Sequence, residues 1–339
     1  MLLEQRIGAF IKLNHYLQEV IAGNESQEII DNAIHYNTWF TPSNVKKSIL
    51  GLIQLTDASA LKEWVSKYSI ADKPTGIKVG IVMAGNIPMV GFHDLLSVVI
   101  SGHTAMVKTA SDDKYLMMHL IQKLYQLAPE IIPLIEVSER LNQAKAMIAT
   151  GSNNSSRYFE QYFAKMPNII RRNRNSVAVI TGQETTAELQ QLGNDIFDYF
   201  GLGCRNVAKL YVPEGYVFNT FYEAIEKFEY VFAHHKYKNN YDYNKSVYLI
   251  NMAPHLDNGF LLLKEDTAMI SPISAVFYEH YKNDADLTLK LSTHANQIQC
   301  VVGDRNDLLE MIPYGEAQQP GLFDYADGVD VLEFLTSIK

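Results

Sequence analysis

One cysteine in this sequence stands where a reactive nucleophile could form. Cys204 follows the turn Gly201-Leu202-Gly203 and precedes residues 208–212, a β-forming run closed by Pro213. The glycines favour an exposed thiol, and a thiolate can attack a carbonyl carbon. The alternative is a small buried hydrophobic side chain, which is the commonest fate of a free cysteine. The local sequence leaves these two interpretations evenly balanced.

Two predicted strands upstream end in polar residues. Residues 77–83 and 104–108 favour β-structure, and residues 89–100 between them are apolar enough for a buried helix. Such a strand–helix–strand unit builds a parallel sheet, whose ligands bind at the carboxyl ends of the strands. Asn86 and Lys108 lie at two of those ends.

The rest of the chain predicts two open α/β sheets behind a helical segment that covers residues 1 to about 70. A strand over 146–150 opens into Gly151-Ser152, and a strand over 176–181 is expected to complete the first sheet. We place the crossing into the second sheet at 181–184. The other predicted elements are helices over 115–127 and 138–145, strands over 131–135 and 245–250, and a helix that starts at Thr185.

Composition excludes several classes of protein. The net charge of −9 and the absence of a long basic run argue against a nucleic-acid partner. The only cysteines, Cys204 and Cys300, provide no disulfide framework and no cysteine-based zinc site, so we predict a cytoplasmic protein without a metal. We expect Cys300 to be a strand residue that points into the core. No secretory signal or membrane span is predicted.

Motifs for other chemistries are absent. The sequence contains no GxxxxGK[ST] phosphate loop, no HExxH and no GxSxG, which are the signatures of nucleotide hydrolysis, zinc proteolysis and serine esterase chemistry. The segment 201–206 begins like a dinucleotide fingerprint, but it lacks the last glycine and leads into a strand rather than a helix. We therefore reject that interpretation.

Four short motifs in this order are together informative: GNIP at 85–88, SGHTAMVK at 101–108, ATGS at 149–152 and GLGC at 201–204. With its motifs in this order, the chain resembles the aldehyde dehydrogenase superfamily, and within it the acyl-CoA reductases of the luciferase-system (LuxC-like) type. The resemblance runs from about residue 77 to 303, with a compatible tail at 323–330. It implies an aldehyde-dehydrogenase-like α/β fold with a cofactor-binding and a catalytic domain.

The resemblance also implies domain ranges. We assign residues 1–182 to the helical preamble and the dinucleotide-binding domain, and residues 183–306 to the catalytic cysteine domain. Residues 307–339 form a C-terminal segment that is expected to pack back on the body of the protein.

The resemblance assigns a role to each residue that matches a functional position of the superfamily. Cys204 falls on the superfamily's nucleophile, and Asn86 on the asparagine that helps to form its oxyanion hole. Lys108 falls on the lysine that holds the adenosine ribose. Gly151 and Ser152 fall on the pair that approaches the cofactor phosphates.

The departures from the superfamily pattern carry chemical meaning. Aldehyde-oxidising members have a glutamate that activates water for hydrolysis, whereas the corresponding segment here, 170–174, has no carboxylate. Ala268 aligns near the glutamate that holds the nicotinamide ribose. Ser111 replaces a ribose-binding glutamate of NAD-preferring relatives, which leaves room for a 2′-phosphate, although Asp112 beside it weakens that preference.

We therefore predict an acyl-CoA reductase that forms an acyl-enzyme on Cys204 and uses NADPH, with NADH as the second choice. The alternatives are a CoA-acylating aldehyde dehydrogenase, a reductase of another activated carboxyl such as an acyl phosphate, and a catalytically silent binding subunit of the same fold. A homo-oligomer or an acyl-transfer partner protein is expected from the resemblance.

Overall fold

The computed structural model describes residues 1–23, 27–305 and 308–338. Contacts within the chain divide it into two compact units. Unit 1 comprises residues 1–173 and 320–339, and unit 2 comprises residues 174–319. The domain ranges given above, 1–182, 183–306 and 307–339, come from the sequence pattern and not from these contacts. They stay a prediction.

Helices make up the N-terminal region and flank both sheets. They are α1 (Leu3–Ile21), α2 (Gln27–Tyr36), α3 (Pro42–Leu55), α4 (Ala58–Ser66), α5 (Phe92–Ile100), α6 (Lys114–Leu127), α7 (Asn153–Phe163), α8 (Thr186–Phe197), α9 (Asn219–Ile225), α10 (His235–Ile250), α11 (Asp284–Thr293) and α12 (Val331–Ser337). The predicted helical preamble is confirmed by α1 to α4.

The strands are β1 (Lys78–Val82), β2 (Thr104–Lys108), β3 (Ile135–Val137), β4 (Ala146–Thr150), β5 (Asn168–Arg171), β6 (Asn175–Val179), β7 (Val207–Pro213), β8 (Leu256–Asp257), β9 (Leu262–Glu265), β10 (Ala275–Tyr281) and β11 (Ile298–Val302). The strands predicted over 104–108 and 146–150 are confirmed residue for residue. The predicted strands before Asn86 and after Cys204 are confirmed within two residues at each end.

Unit 1 contains a five-stranded sheet in the order β3-β2-β1-β4-β5, in which every pairing is parallel. Its central strands are short apolar runs because helices cover both faces of such a sheet. Val79 and Ile81 of β1 are fully buried, and so are Leu95 and Leu96 of α5. This packing sets the carboxyl ends of β1 and β2 at one edge of the sheet.

Unit 2 contains a six-stranded sheet in the order β11-β6-β7-β10-β9-β8, parallel except for the antiparallel edge pair of β8 and β9. The prediction that a strand near residues 176–181 completes the first sheet is wrong, because β6 pairs with β7 and β11. Strand propensity reports that a segment is extended, but it does not report its partner.

Two other predicted elements are wrong. No helix forms over 138–145, because the Ser138 hydroxyl bonds both the carbonyl and the N–H of Arg140, which competes with helical hydrogen bonding. Residues 245–250 belong to α10 rather than to a strand. The buried face of α10 is made of Tyr237, Tyr241, Asn244 and Tyr248. These residues have the spacing of one helix face. Most of them are tyrosines, which are also common in strands, so the residue types alone suggested a strand.

The predicted strand over 131–135 is displaced. Residues 129–134 form a 3-10 turn, and β3 starts at Ile135.

The C-terminal residues of unit 1 pack against its N-terminal part. The Trp64 indole N–H donates to the Tyr325 hydroxyl at 2.7 Å. A ring nitrogen of His103 lies 2.9 Å from the Leu335 carbonyl oxygen. Leu332 and Leu335 of α12 are fully buried in the same core as α1 and α5. The last strand of the unit 1 sheet and α12 are therefore parts of one fold although unit 2 separates them in sequence.

Candidate functional site

The structure brings the predicted residues of unit 1 to one edge of its sheet. Val82 at the end of β1 pairs with Lys108 at the end of β2 and with Ala149 near the end of β4. Asn86 and Gly151 follow β1 and β4, so the three chain segments leave neighbouring strands in the same direction. This edge is where ligands of open α/β sheets bind.

Asn86 lies in the loop between β1 and α5, and its side chain is exposed. Among the described residues its amide has no hydrogen-bond partner, so the amide is available to a ligand. Gly85 beside it requires the absence of a side chain, because a Cβ there would lie 2.5 Å from the Cβ of Ala110. The Asn86 loop therefore lies directly against the turn that follows β2.

A buried carboxyl group connects these two segments, and the sequence analysis missed it. Asp113, in the turn after β2, is 1% exposed, and the Met89 N–H donates to its Oδ2 at 2.9 Å. Met89 has a φ of 58°, the left-handed region that L residues rarely adopt. Burial raises the pKa of the Asp113 carboxyl well above its usual value. No sequence signal marks Asp113, since an acid at the start of a helix is also the ordinary capping pattern.

Asp113→Asn is expected to change how stability depends on pH. The folded pKa of Asp113 is raised, so the wild type loses stability as pH rises from the unfolded pKa of about 4 to the folded pKa. Inside that window the loss is about 1.4 kcal/mol per pH unit. Asparagine can still accept the Met89 N–H and cannot ionise. Urea unfolding at pH 5 and at pH 8 gives the unfolding free energy of both proteins. Relative to the wild type, Asp113→Asn should be more stable at pH 8 than it is at pH 5.

Asp31→Asn is the control, because it makes the same change at an exposed position on α2. An Asp113→Asn effect that is the same at both pH values would contradict the raised pKa.

Gly151 and Ser152 form the start of α7. The Ser152 Oγ accepts the N–H of Ser155 at 3.2 Å, so Ser152 is the N-cap of this helix. A Cβ on Gly151 would lie 2.8 Å from the Ser155 Cβ and 2.9 Å from the Phe159 ring. Glycine thus lets α7 start close to the end of β4. A helix start of this kind also suits phosphate oxygens.

Lys108 and Ser111 both lie at the end of β2 and are exposed. The Ser111 hydroxyl donates to the neighbouring Asp112 carboxylate at 3.2 Å. Both side chains can therefore reach a ligand at this edge of the sheet without leaving a buried group unpaired.

The segment that lacks a carboxylate contains a buried ion pair instead. The guanidinium of Arg171, at the end of β5, donates to both carboxylate oxygens of Asp94 on α5, at 2.6 and 2.8 Å. The two side chains are 10% and 6% exposed. Both Asp94 oxygens accept from Arg171, so the Asp94 carboxylate is fully engaged in this ion pair.

In unit 2, Cys204 lies at the end of a turn made of left-handed residues. Tyr199, Phe200, Gly201 and Gly203 have φ values of 53°, 58°, 79° and 101°. Only glycine adopts such values without strain, so the two glycines at the end of the turn are required. Cys204 is half-buried and is not in a disulfide. The predicted accessibility and reactivity of this thiol stay a prediction.

A second buried carboxyl lies on α8, the helix that precedes this turn. Asp195 on α8 is fully buried and accepts the N–H groups of Gly315 and Ala317 at 2.6 and 3.0 Å. Burial raises the pKa of Asp195 to about 7. The guanidinium of Arg205, which follows Cys204, donates to the Ala317 carbonyl at 3.3 Å. The loop 315–317 therefore connects α8 to the residue beside the cysteine.

A buried lysine hydrogen-bonds the loop that contains Ala268. The ammonium of Lys209 on β7 donates to the Thr267 carbonyl at 3.0 Å and to Glu279 at 2.6 Å. The N–H of Ala268 donates to Asp266, which is itself paired with Lys264. The loop is thus held by hydrogen bonds to Lys209 and Asp266, and position 268 itself carries no acidic side chain.

Two absences concern the described part of the chain. Within residues 1–23, 27–305 and 308–338, no group of three or more His, Cys, Asp or Glu side chains could hold a metal ion. No helix in these same ranges is long and apolar enough to cross a membrane.

The fold is that of the aldehyde dehydrogenases. Aldehyde dehydrogenase 21 from Physcomitrella patens, solved with succinate, aligns with a TM-score of 0.65 and 16% identity over 98% of this chain and 79% of its own. Betaine aldehyde dehydrogenase from Staphylococcus aureus aligns with a TM-score of 0.67 and 10% identity, over 91% and 72% of the two chains. A variant of aldehyde dehydrogenase C from Pseudomonas syringae, in complex with NAD+ and octanal, gives 0.66 and 10%, over 91% and 74%.

The family model "Acyl-CoA reductase (LuxC)" matches residues 23–225, which is more than half of the chain. The chain therefore belongs to the LuxC family of acyl-CoA reductases. A comparison with curated proteins gives no significant match. The predicted resemblance and fold class are confirmed. The protein is an oxidoreductase of the aldehyde dehydrogenase fold, and its family and fold support acyl-CoA reduction or a related reaction with a nicotinamide cofactor.

Proposed function

We propose that this protein reduces an acyl-CoA thioester to an aldehyde through an acyl group carried on Cys204, with NADPH as the preferred reductant. One observation carries the proposal: in a chain of the acyl-CoA reductase family, the left-handed glycine turn ends in Cys204. A thiolate at such a turn is a suitable nucleophile for a thioester carbonyl.

The chemistry at Cys204 balances without an added oxidant. The Cys204 sulfur bonds to the thioester carbonyl carbon, the oxyanion accepts a hydrogen bond from the Cys204 N–H, and coenzyme A leaves as a thiolate. The Asn86 amide is proposed as a second donor on the ground of the family resemblance alone. When a reduced nicotinamide is bound, it supplies the hydride to the acyl carbon. The bond between the Cys204 sulfur and the acyl carbon would then break, which would release the aldehyde and return the Cys204 thiolate.

Hydrolysis of the acyl group is expected to be slow, because the segment that corresponds to the superfamily's base carries no carboxylate. Residues 170–174 contain no carboxylate, and the guanidinium of Arg171 is held by Asp94. A water molecule near the acyl group would need deprotonation by a general base to attack at a useful rate. The acyl group on Cys204 should therefore persist until hydride transfer.

The unit 1 edge is proposed to hold the cofactor. Its residues fit a dinucleotide: Lys108 is an exposed cation, and Gly151 and Ser152 place the start of α7 where phosphate oxygens can accept N–H groups. Ser111 is proposed to accommodate the 2′-phosphate that distinguishes NADPH from NADH.

Ser111→Glu is expected to raise the KM for NADPH at least about tenfold while changing the KM for NADH less. A carboxylate there would repel a 2′-phosphate, and about 1.4 kcal/mol of repulsion corresponds to tenfold. Steady-state kinetics with both cofactors measures the effect. Ser111→Ala is the control, since it adds no charge. Equal changes for the two cofactors in Ser111→Glu would count against this position as the determinant.

The decisive experiment follows the absorbance of the reduced nicotinamide with a series of acyl-CoAs, run with NADPH and with NADH. Consumption of cofactor together with aldehyde formation supports the reductase. A second mixture contains aldehyde, free coenzyme A and the oxidised cofactor. Formation of reduced cofactor there, without consumption in the first mixture, would identify the CoA-acylating direction instead. Acyl-CoA binding without any turnover would identify a binding subunit. The cytoplasmic location and the oligomer or acyl-transfer partner stay predictions.

A further inference from the structure

We propose that Ser176 is a positioning residue for Cys204 and that it acts through a chain of hydrogen bonds that begins at Cys300. The inference rests on the proposed function of Cys204 as the nucleophile. It concerns residues of unit 2 alone.

Ser176 holds the segment after the glycine turn at two points. It is fully buried in β6, the strand between β11 and β7. Its backbone N–H donates to the Asn206 carbonyl at 2.9 Å. Its hydroxyl oxygen lies 3.2 Å from the Cys204 carbonyl oxygen and 2.9 Å from the Cys300 sulfur. One hydroxyl group thus links the backbone carbonyl of Cys204 to the thiol of Cys300.

The direction of this chain follows from which groups can donate. A carbonyl oxygen only accepts, so the single proton of the Ser176 hydroxyl is given to the Cys204 carbonyl. The Ser176 oxygen can then only accept from Cys300, which must donate its S–H. This arrangement requires Cys300 to be a neutral thiol. Burial raises the pKa of Cys300, which supports that form.

The consequence is a division of labour between the two cysteines. Cys300 stays protonated and anchors Ser176, whereas Cys204 is the one that reacts. The Cys204 peptide needs an anchor because the turn before it contains left-handed residues other than glycine, Tyr199 and Phe200, which are strained. A nucleophile displaced by about 1 Å can lose about a hundredfold in rate.

The test compares Ser176→Ala with Ser176→Thr. Alanine removes the hydroxyl, and turnover of acyl-CoA should fall about tenfold while the KM for NADPH stays within about twofold. Threonine keeps a hydroxyl and should restore turnover to within about threefold of wild type. Ser246→Ala, which removes an exposed hydroxyl that bonds a carbonyl on α10, is the matched control and should change nothing.

A second measurement needs no substrate. Mass spectrometry after iodoacetamide treatment should find Cys204 alkylated in the wild type while Cys300 is protected, and Ser176→Ala should leave Cys204 alkylated at least as fast. A loss of folding would instead expose Cys300. If Ser176→Ala does not fold, Cys300→Ala and Cys300→Ser replace it: alanine should lower turnover about threefold, and serine, which can still donate, should keep it.

The outcomes separate this inference from the proposed function. A wild type that is alkylated at Cys204 but shows no acyl-CoA turnover would overturn the proposed function, while the protection of Cys300 from alkylation would still test its bond to Ser176. An active wild type whose Ser176→Ala variant turns over within twofold, or whose Ser176→Thr variant is as impaired as Ser176→Ala, would overturn the role of Ser176. Preferential alkylation of Cys300 would overturn it as well.

Discussion

Cys204→Ala is expected to abolish the covalent acyl adduct and to lower turnover by on the order of 10⁴-fold or more. The reason is that no other described thiol is placed to replace it, since Cys300 is held by Ser176 with its pKa raised. Intact-protein mass spectrometry after mixing with acyl-CoA, without any nicotinamide, measures the adduct directly. The wild type should gain the mass of one acyl group.

Cys300→Ser is the matched control for Cys204→Ala, because it removes the only other thiol and keeps a donor to Ser176. The control should form the adduct with the stoichiometry of the wild type. A Cys204→Ala protein that still acquires an acyl group would refute the covalent scheme, whatever its rate of turnover.

Asn86→Ala is expected to lower kcat by about 10²–10³, the usual loss when one oxyanion donor is removed. The side chain is exposed and no described residue engages its amide, so its removal should cost little stability. The effect should therefore appear as slower acylation of Cys204 with acyl-CoA binding retained. Rapid mixing followed by acid quench and mass spectrometry gives the acylation rate.

Two further variants sharpen the Asn86 result. Asn86→Asp keeps the shape and replaces a donor with a negative charge, so it should be at least as impaired as alanine. Asn32→Ala removes another amide of unit 1, which hydrogen-bonds the Glu28 and Tyr115 side chains, and should act as the wild type. Acylation of Asn86→Ala at the wild-type rate would exclude the oxyanion role and reduce Asn86 to a turn residue.

The sequence was informative where chemistry and local pattern coincide. The strands before Lys108 and before Gly151 are apolar runs bounded by polar or glycine residues, and such boundaries mark strand ends without any tertiary information. The glycine turn before Cys204 was predictable for the same reason, because left-handed backbone needs glycine.

What could not be predicted depends on partners that are remote in sequence. Asp113 is an ordinary helix-start acid until Met89 is packed above it, and Asp195 is an ordinary helix residue until the loop at 315–317 arrives. The contacts of Ser176 depend on the two strands that flank β6, which are β11 and β7. The assignment of β6 to the wrong sheet has the same cause, since extended backbone carries no record of its neighbour.

The interrupted layout of unit 1 bears on how the chain is made. Synthesis proceeds from the N-terminus, so all of residues 174–319 leave the ribosome before α12 can occupy its place against the buried helices of unit 1. Until then, the apolar surface that later receives Leu332 and Leu335 stays uncovered. The inserted unit can complete its own sheet during this time. Unit 1 is therefore the later of the two units to become complete, and its nascent form exposes apolar surface that α12 later covers.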